Sequence, residues 1–353
     1  MSWLTWRQYR AQAWCALAAL AVVAVLYGVT GPRLAGLYDT SGLPGCARTG
    51  EGCERAQSAF AAAVGADGLL TGLFYLGLVL LLVLPAGAGM FAGVPLAARD
   101  LESGAFRLTW TQGVPRTRWL LVRLALVGSA VAALAGLLSL AVSWWAAPLD
   151  RAGALPGAGD AGLPGRFGPL VFAAHGAVPV GWALFGFAAG VAAGLLLRRQ
   201  VAAMAVVLGV LAAAQVLVPL LVRPHLAAPV RTEAPLVLGT GAGAEQGTIR
   251  IEGDRLYVST PVSLPGAWVL SVAALDPAGR AFTGPVPAAC HPEAGPIGAC
   301  RQAIDALGLT QRVAYQPARR YWAFQWAEAG ALVLLSGAVA AGTAARLRRG
   351  VAP

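Results

Sequence analysis

Six long uncharged stretches set the terms for this chain. They run over 13–30, 69–98, 124–147, 170–197, 201–222 and 329–345. A helix needs about 20 apolar residues to cross the hydrocarbon core of a bilayer. A water-soluble core has no use for six uncharged runs of this length, so the expectation is an all-α polytopic membrane protein with six transmembrane helices. Composition agrees: 58% of residues are hydrophobic and 12% charged, against about 25% charged in soluble domains.

Charge gives the direction. Threading the chain through six spans sorts the connecting segments into two sets. One holds twelve arginines (7, 10, 99, 107, 116, 118, 123, 198, 199, 346, 348 and 349) against Asp100 and Glu102, and so carries the whole net charge of +10. The other holds fourteen arginines and fourteen acids, which cancel. The positive-inside rule places the basic face in the cytoplasm, with both termini inside. All 26 basic residues are Arg and none is Lys. They form no basic domain, so the high isoelectric point is a membrane signature and nucleic acid is not an expected partner.

The first twelve residues space Trp3, Trp6 and Tyr9 three apart with Arg7 and Arg10 between. That pattern suits a short amphipathic helix at the inner interface. No convincing small-residue cleavage site follows the first apolar run, which is read as a retained span. Cys15 falls inside it and is expected to be a small buried apolar residue. The remaining cysteines all fall in external segments, where an oxidising environment permits disulfides. Short-loop closure favours Cys46–Cys53 and Cys290–Cys300 over the other two pairings. A metal site at Cys290 and His291 is the disfavoured rival, because paired C-x-x-C spacing is missing.

Segment 31–68 is rich in Gly and small residues, with 55–66 a possible short helix; 148–169 reads as an irregular Gly/Pro-rich turn. The long segment before the last span carries short β-rich runs at 248–251, 255–259, 268–273 and 311–315, and a possible helix at 301–307. They predict a small α+β extracytoplasmic domain between helices 5 and 6. The aromatic run 321–326 reads as an interfacial belt, with a re-entrant segment as the alternative.

Within the spans, Gly186, Gly190 and Gly194 line one face of the fourth helix and permit close approach of a neighbour. Pro85 and Pro95 predict a kink in the second. His175, Gln215 and Glu328 are polar residues in or beside apolar runs, which are by default pathway or packing groups. Interhelical hydrogen bonding is favoured for Gln215, and an interfacial position for His175 and Glu328.

No G-x-x-x-x-G-K-[ST] occurs, and none can without Lys, so this chain hydrolyses no ATP by a P-loop. Neither H-E-x-x-H nor G-x-S-x-G is present, the three His are scattered, and the spans hold no carboxylate relay. No catalytic residue and no metal ligand set is expected, and no cofactor in this chain.

The basic segment after the second span has the most content. It reads Arg99-Asp100-Leu101-Glu102-Ser103-Gly104, then Phe106 to Gln112, then Val114-Pro115-Arg116-Thr117-Arg118-Trp119. This resembles the coupling region of ABC transporter permease subunits of the type-2 exporter family. There an acid closes the second span, a small residue and Gly break the helix, a short apolar helix follows, and a Val-Pro or Pro-Val step with Arg opens the third span. Similar actinobacterial permeases share the run Arg107-Leu108-Thr109-Trp110-Thr111-Gln112 and a second one covering Tyr315–Arg319 and Tyr321–Trp326. The large external insert before span six departs from the simplest members.

The resemblance implies a permease that dimerises with a second copy or a paralogue around a substrate path. A separate ABC ATP-binding subunit, holding the ATP and Mg, docks beneath it. Arg99, Asp100, Glu102, Gly104, Arg107, Trp110, Arg116 and Arg118 become the ATPase-coupling residues. The division expected on this basis is 1–12 interfacial helix, 13–30 first span, 31–68 external loop, 69–98 second span, 99–118 cytoplasmic coupling segment, 119–147 third span and 148–169 external loop. It continues with 170–197 fourth span, 198–200 cytoplasmic turn, 201–222 fifth span, 223–322 extracytoplasmic domain, 323–345 sixth span and 346–353 cytoplasmic tail. The location is the cell membrane, with lipid as a further partner. A membrane sensor or signal relay that transports nothing is the alternative function.

Overall fold

The computed structural model describes residues 2–49, 53–102, 116–156, 162–238, 247–253, 255–260, 262, 264–291 and 297–348; side chains are described from residue 10 onward, excepting 99–102, 116, 117 and 119. Six helices are long and apolar enough to cross a membrane: Arg10–Thr40, Gly68–Ala98, Leu120–Trp145, Val178–Leu197, Gln200–His225 and Ala318–Arg348. The chain divides into two compact units, residues 1–226 with 321–353, and residues 227–320.

The first unit is the helical one. Helix α1 (Ser2–Thr40) is continuous, so the amphipathic start and the first span form one element and not two. It is followed by α2 (Leu43–Thr49) and α3 (Cys53–Ala66). The short helix expected at 55–66 is present as α3, and most of the other described residues of this segment are helical too, its glycines notwithstanding. Its apolar positions Leu34, Tyr38, Leu43 and Phe60 pack into one core with Leu70, Val142 and Trp145, and burial outweighs the Gly propensity cost of about 1 kcal/mol per residue. The Cys46–Cys53 disulfide joins α2 to α3. Gln57 Nε2, fully buried, donates to the Ala152 carbonyl at 3.1 Å and fixes α3 to the segment beyond the third span.

Helix α4 (Gly68–Gly87) starts at an N-cap: Asp67 Oδ1 accepts from the Leu69 and Leu70 amides at 3.1 and 3.3 Å. Its other oxygen meets Arg33 Nη2 at 2.8 Å, tying the cap to α1. The helix runs through Pro85 into a π-helical turn, Ala88–Gly93, and on into α5 (Val94–Glu102). The irregularity expected from the prolines thus takes the form of a π-turn, one of the recognised causes of helix bending. Helix α6 (Arg116–Trp145) carries the third span. Trp145 stacks on Tyr27 with ring centroids 5.1 Å apart and donates Nε1–H to Thr30 Oγ1 at 2.9 Å.

The short helix α7 (Ala147–Gly153) occupies part of the segment expected to be an irregular turn, and α8 (Pro169–Ala174) takes the start of the stretch expected as the fourth span, which breaks before Val178. Next come α9 (Val178–Leu197) and α10 (Gln200–Leu217), separated by the two-residue joint Arg198–Arg199. Arg198 takes a left-handed conformation, φ 54°, that ends α9 with its amide on the Gly194 carbonyl at 3.2 Å. Helix α9 is the centre of the bundle, 67% of its apolar window being buried, against 11% for the span that α10 begins. It packs on the last helix, α4 to α5 with the π-turn, α6 and α10. Cys15 is exposed on α1 and not buried as expected: that helix is only 17% buried along its apolar window, so most of its side chains face away from the bundle.

The second unit holds the strands β1 (Val230–Pro235), β2 (Thr248–Glu252), β3 (Arg255–Ser259), β4 (Trp268–Leu275) and β5 (Thr310–Gln316), with helix α11 (Ile297–Asp305) between β4 and β5. An antiparallel sheet in the order β1-β5-β4 and a β2-β3 hairpin result. Strand β1 escaped the sequence reading because its residues VRTEAP end in proline and lack β-rich composition; its ladder to β5 is what makes it a strand. The Cys290–Cys300 disulfide binds α11 to the turn before it, over a core of Leu236, Leu256, Val258, Val286, Ile304 and Leu309. Gln311, buried, bonds both the amide and the carbonyl of Thr260, at 3.0 and 2.9 Å. At the exposed turn after β4, the Arg280 amide and guanidinium hold the Asp276 carboxyl below its ordinary range.

Helix α12 (Tyr321–Arg348) then carries the last span. The aromatic run Tyr321–Trp326 forms its first turns, so it is no re-entrant segment.

Candidate functional site

The helical unit buries a polar network at the end where α7 and α8 lie. Helix α10 leads into a π-turn, Val218–Val222, and a single 3-10 turn, Arg223–His225. Arg223 is the base at the end of that span, and its side chain is 1% exposed. Glu328 lies two turns into α12 with its side chain 4% exposed. The pair is bidentate: Arg223 Nε donates to Oε2 at 2.9 Å and Nη2 to Oε1 at 3.1 Å. Trp182 Nε1 of α9 adds a longer bond to Oε1 at 3.4 Å. The guanidinium also lies over the Phe172 ring of α8, 4.1 Å from its centroid. Arg223 Nη1 is buried and finds no hydrogen-bond partner among the described residues.

Gln325, one turn before Glu328 and fully buried, spans the break between α8 and α9. Its Oε1 accepts from the Ala177 and Val178 amides, both at 3.1 Å, and its Nε2 donates to the Phe172 carbonyl at 3.0 Å. In lipid an open backbone group costs several kcal/mol, so a broken helix needs such a side chain. Gly176 supplies the bend at φ 68°, and a Cβ there would meet the Gln325 amide oxygen at 2.8 Å. Ser139 Oγ of α6 donates to the Gly176 carbonyl at 2.8 Å.

His175 closes α8. It is 2% exposed, with Nδ1 2.8 Å from the Val171 carbonyl and a buried Nε2 without a hydrogen-bond partner among the described residues. The bonded nitrogen carries the proton in the neutral ring, since a carbonyl only accepts. Asp150 of α7 pairs with Arg166 at 3.3 Å. Burial pushes its carboxyl up from the ordinary value, with the charges of His175 and Arg166 pulling the other way.

Of the residues singled out in the sequence, Glu328 and His175 are thus buried within the helical unit. Both are covered because α8, α9 and α12 close around them. Gln215 donates Nε2–H to the Leu82 carbonyl of α4 at 2.9 Å, an interhelical bond. Gly186, Gly190 and Gly194 lie against the second span: Cβ atoms there would meet the carbonyl oxygens of Pro85, Gly89 and Val94. Cys46, Cys53, Cys290 and Cys300 form the two disulfides already described. Gly104, Arg107 and Trp110 lie outside the described residues, as do the side chains of Arg99, Asp100, Glu102 and Arg116, while Arg118 is exposed. The described residues hold no group of three or more His, Cys, Asp and Glu able to bind a metal.

Sequence reasoning missed Arg223, Gln325 and Trp182. One signal was present: a carboxylate beside an apolar run, Glu328, demands a partner of opposite charge, and Arg223 stands at the end of another span.

The comparison with protein families matches the chain to the family described as ABC-2 membrane transporter related, over residues 17–223. No curated protein and no solved structure matches the chain. The matched stretch is more than half of the chain and takes in three candidate spans whole and most of two others. With its six apolar helices, this chain belongs to the ABC-2 membrane transporter related family and is a multi-pass membrane protein of the ABC-2 permease type.

Proposed function

We propose that the chain is the transmembrane permease subunit of an ATP-driven ABC exporter. It forms the substrate path as a dimer with a second copy or a paralogous permease, and a separate ABC ATP-binding subunit supplies ATP, Mg and hydrolysis. The observation that carries this reading is the family match over residues 17–223, which includes the segment 99–118 after the second span. That segment is the docking surface, with Arg99, Asp100, Glu102, Gly104, Arg107, Trp110, Arg116 and Arg118 passing the movement of the ATPase pair to the second span. A helix that continues from α4 through a π-turn to Glu102 suits such a lever, since it links the segment directly to the second span.

Purification of the tagged chain from its native membrane in mild detergent is expected to bring down an ABC ATPase subunit in stoichiometric amount. A chain that repeatedly purifies without one, at a yield sufficient to see it, supports the sensor reading instead.

The proposed orientation places both termini and the Arg-rich segments in the cytoplasm, and residues 227–320 outside. The charge bias supports it: twelve arginines against two acids on one side. Single cysteines at Ser2, Ser58, Ser271 and Ala352 in a Cys15→Ser background are to be probed with a membrane-impermeant thiol reagent on intact cells. Positions 58 and 271 are expected to react and positions 2 and 352 only after lysis. Reaction of either terminus in intact cells inverts the assignment.

A further inference from the structure

The fifth span is held to the bundle unevenly. Its buried apolar residues, Ala203, Val207 and Leu211, lie in its first half, and past them Gln215 reaches the Leu82 carbonyl. The π-turn Val218–Val222 has no buried residue. Leu217, Leu220, Leu221 and Val222 are all exposed on the helical unit. Among the described residues, the side chain that anchors this far end is Arg223, through Glu328 and the Phe172 ring.

That anchor has the marks of a contact made to be released. Replacing a buried ion pair by packed apolar groups is often neutral or stabilising, so such a pair is weak evidence of a purely stabilising role, and a registry or switch role is its best-attested use. Here one guanidinium group, Nη1, stays unmet in the closed arrangement. The backbone around Arg223 leaves α-geometry twice in succession, a π-turn before it and a 3-10 turn beginning at it, with Pro219 and Pro224 in those turns. π-turns recur at functional sites, and the prolines remove amides that would otherwise stiffen the ladder. Finally, the pair joins three other elements at one point: Phe172 in α8, Trp182 in α9 and Glu328 in α12.

We propose that the Arg223–Glu328 pair is a latch on the outer end of the fifth span, closed in this structure and parted when the span swings away from α12 to open the substrate path. The inference rests on the permease reading for its role in transport, and for the movement it is argued from the ion pair and the irregular turns beside it. Glu328→Gln keeps the shape and one acceptor but removes the attraction that closes the latch. Arg223→Lys keeps the charge and removes the bidentate fork.

The test is a distance between spin labels at Leu221→Cys on the fifth span and Ala327→Cys on α12, both exposed positions. It uses full-length protein with Cys15→Ser in lipid nanodiscs, without nucleotide or partner. With the native pair one short distance is expected to dominate. In Glu328→Gln a longer population is expected to rise about tenfold, the response to losing roughly 1.4 kcal/mol from one of two states. Arg223→Lys is expected to shift the same way by less, and it carries the test if the glutamine variant does not fold. An unchanged distance in a folded variant overturns the latch, including when its melting temperature falls, since that is the behaviour of a plain structural pin. Failure to find an ATPase partner instead removes the transport role and leaves the measured movement standing.

Discussion

Gly190→Leu is expected to prevent the chain from assembling as a monodisperse protein. A Cβ at Gly190 meets the Gly89 carbonyl, and one at Gly89 meets the Gly186 carbonyl. The two helices therefore touch backbone to backbone, which is how small residues associate helices where lipid offers no hydrophobic drive. Inserting atoms into a packed interface usually costs about 1–3 kcal/mol and more where nothing can yield. Carbonyl oxygens of a hydrogen-bonded helix do not yield singly, so the whole contact between α9 and the second span has to part. Helix α9 is also the most buried span, so no other face can take up the shift. The expected loss is at least about 3 kcal/mol, seen as a collapse of monodisperse yield in detergent and of the thermal midpoint. Gly209→Leu is the control: no heavy atom lies within 4 Å of a Cβ there, and a change within about 0.5 kcal/mol is expected. Equal midpoints for the two variants contradict the packing account.

Reversing two charges in the segment after the second span, Glu102→Arg with Arg107→Glu, is expected to abolish substrate-stimulated ATP hydrolysis by the reconstituted complex. Docking surfaces are matched in charge, and like charges brought together cost several kcal/mol. The membrane fold is expected to survive, because both positions lie in the segment between the second and third spans and outside the apolar helices. The matched measurements are ATPase activity with and without the variant permease, and the yield and melting of the variant alone. The purified permease by itself is expected to hydrolyse no ATP, since a chain without Lys has no P-loop. Full coupled activity in the double variant contradicts the assignment of this segment to docking.

The elements of this fold differ in how openly the sequence shows them. Six spans are visible because each is a local run of apolar residues that no other arrangement satisfies. Strand β3 and most of β2, β4 and β5 are visible for a similar reason, alternation and β-branched composition being properties of five to eight adjacent residues. Strand β1 is not, because its pairing with β5 lies some eighty positions away in the chain. Pairs of cysteines close in sequence announce their disulfides; the helices around Cys46 and Cys53 are set by the core beneath them.

The candidate site follows the same division. Glu328, His175 and Gln215 stand out as polar residues in apolar surroundings, and that much is composition. Their partners do not stand out. Arg223 lies 105 positions from Glu328, and Gln325 lies 153 from the carbonyl it caps at Phe172. A buried charge or an open backbone group in a membrane must be paired, but the sequence does not say by which residue. By itself it determined the number of spans, the charge bias between their two sets of connections and the strands β2 to β5 of the inserted unit, since hydropathy and alternation act over one turn or one strand. Only the tertiary structure decided that α1 runs unbroken from Ser2, that Cys15 faces outward, and that α8 and α9 break at Gly176 under Gln325. It alone joined Arg223 to Glu328, because which buried groups meet depends on how the helices pack, and packing is a property of the whole bundle.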